Sequence, residues 1–127
     1  MEFFRIIKVK TTEKSIQDKL TIANLESISN ELFVIGDQNT TEAEIGSIWG
    51  EFTLTRSLIR GGMRFALEEC PNALAWTITT GIKPDPDAIV IHLTINRKAQ
   101  TADFIKEIEA FLDDQFSCLE QYFKENI

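Results

Sequence analysis

One histidine and two cysteines are all the soft metal ligands the chain carries, and neither Cys70 nor Cys118 belongs to a C-x-x-C pair. That is too few for a Cys/His zinc site, which needs several such ligands at short spacing. No metal and no cofactor are expected, and a disulfide between the two cysteines is not required. Apolar runs are short as well: none approaches the roughly 18–20 residues of a membrane-spanning helix. The opening "MEFFRIIKVK" carries charge every few positions and lacks the apolar stretch of a secretory signal. The expected location is cytoplasmic. Basic residues are outnumbered, 13 Lys and Arg against 20 Asp and Glu for a net charge of −7, so nucleic acid and anionic membrane surfaces are repelled. Neither is expected as a partner.

Prolines are few, and no repeat, low-complexity tract or linker divides the chain, which reads as a single α+β domain over residues 1–127. A hydrophobic content of 43% in a chain of this length supports a self-standing core. Alternation over residues 3–9 predicts a strand that lies at an edge or pairs with a distant partner. Residues 12–31 read as two short helices with a bend near Thr21, because Ile16, Leu20 and Ala23 share one helical face and Leu25, Ile28 and Leu32 the opposite one. "LFVIGDQ" (32–38) reads as a buried strand followed by a loop through "QNTTEAE".

From Ile48 to about Arg97 four segments alternate between compact turns. A two-residue turn at Gly61-Gly62 sets Leu58 opposite Phe65. The next turns oppose Leu67 to Trp76 and Phe65 to Ile78, then Ile78 to Ile91 and Trp76 to Leu93. All these pairs share one apolar face. Residues 101–124 form an amphipathic helix with Thr101 as N-cap and an apolar arc of roughly 160°, wider than a surface helix needs. The fold class is therefore α+β: an antiparallel meander of about 5–6 strands packed on a long C-terminal helix, with two short helices near the N-terminus. In element order this resembles the helix-grip fold of the Bet v 1 and START-like superfamily. That resemblance implies a seven-stranded sheet gripping the helix and an apolar ligand held between them.

The paired glycines run from strand to strand and not into a helix N-terminus, so they turn a hairpin and do not cradle a phosphate. The register sends Arg64 outward and places Arg56 and Arg60 on the apolar face. Two readings stand for that pair: the side chains reach past the core to water, or they line a cavity mouth and hold a ligand carboxylate or phosphate. Gln115, near the centre of the helix's apolar arc, either bonds to sheet backbone or a neighbouring side chain, or faces a wet cavity. With Tyr122 these residues form the candidate ligand-binding set Arg56, Arg60, Gln115 and Tyr122. His92 falls on the outer face opposite Thr77, Cys70 lies in a distant turn, and the pairs Asp85/Asp87 and Asp113/Asp114 are explained by turn chemistry and solvation, so no catalytic residue is assigned. The outer face, rich in Thr53, Thr55, Thr77, Thr79 and Thr94, suits sheet-on-sheet self-association.

The functional expectation is a non-catalytic, self-associating domain that binds an apolar small molecule or a protein partner. Its rivals are a cavity-type enzyme (isomerase, cyclase or hydrolase) acting on a hydrophobic substrate, and a small acidic dimeric chaperone or adaptor.

Overall fold

Thr12, extended and unable to continue a helix, accepts a hydrogen bond from the Ser15 amide through its side chain and so starts helix α1 (Glu13–Lys19). In the computed structural model, which describes residues 1–96 and 100–125, the chain breaks at Thr21, where the sequence predicts the bend. It continues as a 3-10 turn (Ile22–Asn24) and helix α2 (Leu25–Ile28). These short helices join strand β1 (Glu2–Ile7) to β2 (Phe33–Gln38). A meander follows through β3 (Glu42–Ser47), β4 (Gly50–Ile59), β5 (Gly62–Glu68), β6 (Ala75–Thr79) and β7 (Ile89–Thr94) to helix α3 (Ala102–Glu125). The seven strands form one antiparallel sheet in the order β1-β7-β6-β5-β4-β3-β2. β1 is thus an edge strand paired with a distant one, and the α1–α2 segment carries the chain from one edge of the sheet to the other. Arg97, the expected end of the meander, lies outside the described residues.

The seventh strand is β3, which the sequence reads as loop. Ala43 and Ile45 alone mark its inner face, both buried, while Glu42 and Glu44 point to solvent. Nor is β2 a buried strand: Phe33 and Ile35 are 54% and 45% exposed, because β2 is the other sheet edge and its pairing with β3 is interrupted between Val34 and Gln38.

The predicted faces hold, yet two offsets shift. The hairpin turn is Arg60-Gly61, pairing Ile59 with Gly62, Leu58 with Met63 and Arg56 with Phe65. Across the next turn Phe65 meets Trp76 and Met63 meets Ile78. Both registers differ from expectation by two residues, so every side chain keeps its face. Between β6 and β7 the expected pairs Trp76–Leu93 and Ile78–Ile91 are found.

Thr101 caps α3 by accepting from the Phe104 amide at 3.1 Å. The helix lays Ile108, Phe111, Leu112, Gln115, Leu119 and Phe123 against the sheet. Phe111 sits edge-on to both Trp49 and Trp76 at 5.2 Å, and Trp76 stacks on Phe65 at 5.6 Å, within the range where aromatic pairs attract. Arg5 ties α3 to the free edge of β1: its Nε donates to Asp113 at 2.9 Å, its Nη2 to Glu109, and its Nη1 to the Phe4 carbonyl at 2.9 Å. Met1 and Ile95 are hydrogen-bonded across the strands, so by antiparallel alternation the Phe4 carbonyl points away from β7. Arg5 therefore occupies an acceptor that another strand could use. Among the described residues no helix is long and apolar enough to cross a membrane.

Candidate binding sites

The last carbonyls of an α-helix have no partner within it, and at α1 side chains from three other segments supply them. Arg56 on β4 donates from Nε to Leu20 O at 2.8 Å and from Nη2 to Gln17 O at 2.7 Å. Tyr122 on α3 donates to Lys19 O at 3.3 Å, and Asn24 Nδ2 donates to both Lys19 O (3.0 Å) and the Tyr122 hydroxyl (3.2 Å). Arg56 and Tyr122 thus converge on the C-terminus of α1. The same helix holds the β4–β5 hairpin: Glu13 accepts from the Gly61 amide at 2.8 Å, and Gln17 Nε2 donates to Ile59 O and Gly62 O, each at 3.2 Å. Burial lowers the Arg56 pKa.

A groove of about 280 Å³ opens beside Arg56, walled by residues 21–23 and by residues 38–40, the end of β2 and the start of its connection to β3, and its surface is largely apolar. Arg60, in the hairpin turn, lines a different depression with Glu13, Thr80 and Ile82. Tyr122 borders a third, between α2 and α3, with Asn30 and Cys118. The candidate set therefore occupies several places.

Gln115 sits in the interior. It is fully buried, and neither its amide oxygen nor its nitrogen has a hydrogen-bond partner. The indole nitrogens of Trp76 and Trp49 are also buried and unpartnered. Gln115 lies one helical turn beyond Phe111 on the same side of α3, and Phe111 touches both indoles. Three neutral donor groups and one acceptor thus go unmatched around an aromatic core, where most buried polar groups are paired. The wheel places Gln115 there; the tryptophans count as apolar in any periodicity, which hides their N–H groups.

Asp114 has a structural role beyond solvation. It accepts from Ser29 Oγ at 2.7 Å, from the Asn30 amide at 3.0 Å and from Asn30 Nδ2 at 3.0 Å, tying α3 to the segment after α2. Burial and then Asp114 push the neighbouring Cys118 thiol up, which keeps it protonated and a poor nucleophile. Burial first, and Asp114 second, also raise the Glu31 carboxyl above its ordinary range, and one Glu31 oxygen is buried without a partner. A raised carboxyl pKa favours the protonated form in the folded chain. The stability it contributes is complete below the unfolded pKa, about 4.3, and is lost as pH rises through the folded value. Glu31→Gln should therefore be more stable than the parent at neutral pH and level with it near about pH 3.5. Because the residue is only half-buried, solvent screening limits the gain to a few tenths of a kcal/mol. Chemical denaturation at the two pH values checks this.

His92 lies on the outer face opposite Thr77, as the alternation predicts. Its ring stacks flat on Phe4, centroids 4.3 Å apart, and its Nε2 is 3.0 Å from a Glu2 oxygen. Asp85 takes an ion pair from Lys8 and a hydrogen bond from the Asp87 amide at 3.1 Å, as turn chemistry would have it. Among the described residues no group of three or more His, Cys, Asp or Glu side chains is placed to hold a metal ion. No protein-family model, no curated protein and no solved structure matches the chain.

Proposed function

We propose that the chain is a cytoplasmic, non-catalytic binding domain that takes a neutral, mainly apolar small molecule with a carbonyl or similar acceptor between the sheet and α3. The observation that carries this reading is the fully buried Gln115 amide with no partner, on the face of α3 whose Phe111 packs against the equally unpartnered Trp76 and Trp49 indoles. An unmet buried donor or acceptor costs about 1–3 kcal/mol. A ligand acceptor atom that meets the donors recovers that energy, while aromatic walls supply affinity through apolar burial. Donors outnumber acceptors at these positions, which selects an acceptor-bearing ligand. The absence of charge on them selects a neutral one. The separation of His92 on the outer face from Gln115 inside supports binding in preference to acid–base chemistry.

Self-association through the outer sheet face is the second half of the reading. Phe4 and Ile6 are 45% and 36% exposed at one end of that face. On the central strand β5, Arg64 and Glu68 flank Ala66. A two-fold axis across the strands at Ala66 would set Arg64 of each copy over Glu68 of the other.

Native mass spectrometry of protein purified without denaturation tests both halves in one spectrum. The expected result is a dimer carrying a few hundred daltons of releasable mass, with that mass lost in Trp76→Phe. Bare monomers, together with indole fluorescence that no neutral carbonyl compound perturbs, would sink the reading.

A further inference from the structure

Arg56 carries more positive charge than its partners balance. Two nitrogens of its guanidinium, Nη2 and Nε, meet the carbonyls of Gln17 and Leu20, which bear only partial charges. Among the described residues it forms no ion pair, and no carboxylate contributes to its electrostatic surroundings. In a chain of net charge −7, Arg5 holds Glu109 and Asp113, Lys8 holds Asp85, Lys14 holds Asp18 and Lys124 holds Glu120, whereas Arg56 meets only neutral carbonyls. Arg56 is also partly withdrawn from water, and a half-desolvated cation gains most from an anion that completes its hydrogen bonds.

The surroundings specify the rest of the ligand. The groove beside Arg56 contains no acid in its lining, and its walls are largely apolar, with Ile22 and Ala23 on one side and residues 38–40 on the other. At about 280 Å³ it lies near the lower limit of small-molecule sites. With Arg56 in the lining of a short apolar trough, one carboxylate on a medium-length alkyl chain suits both the cation and the walls. A bare inorganic anion would leave the trough unfilled, and a neutral chain would leave the guanidinium unmatched.

We propose that Arg56 and the groove between residues 21–23 and 38–40 form a binding site for an aliphatic monocarboxylate of medium chain length. The carboxylate takes the free Nη1 edge of Arg56, and the alkyl chain lies along Ile22 and Ala23. The site stands apart from the interior one: none of its walls belongs to Gln115, Trp76 or Trp49. Because the same guanidinium closes α1, the bound anion also firms the end of that helix.

The probe is octanoate, followed by amide NMR on the full chain, with octanamide and inorganic phosphate as comparisons. Octanoate should shift the amides of residues 21–23 and 38–40, and octanamide should bind at least about tenfold more weakly because it lacks the charge. Arg56→Gln should weaken octanoate by a similar factor, about tenfold or more. Thr40→Glu guards against a folding defect in that variant. It leaves the Arg56 bonds to α1 in place, sets an internal carboxylate beside the guanidinium, and should block octanoate equally. Equal affinity for octanamide, phosphate binding as tight as octanoate, or binding that survives both variants would each overturn the proposal. So would the lack of any shift at the solubility limit of octanoate. Shifts confined to the Trp49 and Trp76 indole signals would overturn it too while favouring the interior site, so the two readings fail separately.

Discussion

Replacing Gly62 with alanine should lower the stability of the chain by about 3 kcal/mol or more, a loss large enough to leave much of it unfolded. A Cβ at this position would drive into the carbonyl oxygen of Ile78 on β6, well inside van der Waals contact, and would meet Ile16 Cγ2 of α1 at 3.1 Å. The first obstacle is backbone and cannot rotate aside. Relieving the clash means moving β5 away from β6, and with it the Gly62 carbonyl that Gln17 holds. Gly61 makes the instructive contrast. Its φ of +89° is a conformation that glycine adopts freely, and a Cβ there would approach Thr80 O at 3.1 Å. Gly61→Ala should cost about 1–2 kcal/mol through backbone strain. Urea denaturation of the two variants gives the comparison. Failure of Gly62→Ala to fold agrees with the prediction, and a loss below about 1 kcal/mol contradicts it. Equal losses at both positions would mean that both glycines serve the turn, as the sequence reading has it, and that the close approach to β6 is relieved at little cost.

That contrast marks the boundary of what was legible from residue order. Alternation with period two assigns Leu54, Phe65, Trp76 and Leu93 to one face, and all four are buried there. Pattern cannot separate two registers that differ by two residues, because both keep every side chain on its face. The turns set the offset. Arg60 serves as a turn residue in place of the second glycine, and the β5–β6 connection uses Glu69 (φ 66°) and Ala73 (φ 49°), residue types that do not announce a left-handed backbone. β3 is hidden for a related reason: an edge-side strand with only Ala43 and Ile45 as inward apolar side chains between glutamates resembles a solvated loop. The candidate sites divide in the same way. The inward direction of Arg56 follows from its parity with Leu54, but its partners are carbonyls of Gln17 and Leu20, 39 and 36 residues away. Backbone acceptors leave no mark on composition, so an arginine that caps a helix and an arginine that waits for an anion look alike until the helix is placed.

Gln115→Met should do what few core substitutions do and raise the stability of the empty protein, by about 1–2 kcal/mol, or roughly 3–8 °C in Tm for a domain of this size. Methionine keeps the unbranched length of the side chain and removes an amide that has no partner on either atom. The penalty for burying those unmet groups, about 1–3 kcal/mol, disappears while the volume against the sheet stays filled. Gln115→Ala should instead destabilise the chain, because the cavity left in a fully buried position outweighs the relief. The functional consequence runs the other way. Without the amide a ligand acceptor loses one of its donors, so retention of bound mass should fall in Gln115→Met even as the melting temperature rises. That opposition is what a binding site predicts, since a protein that keeps an unsatisfied amide in its core holds less stability than its sequence allows and keeps the difference available for a ligand. Thermal melts and native mass spectra of the same two preparations test both halves. A lower melting temperature in Gln115→Met would mean that the amide is already satisfied in the folded chain. A higher one with unchanged retention of the bound molecule would move that molecule away from Gln115.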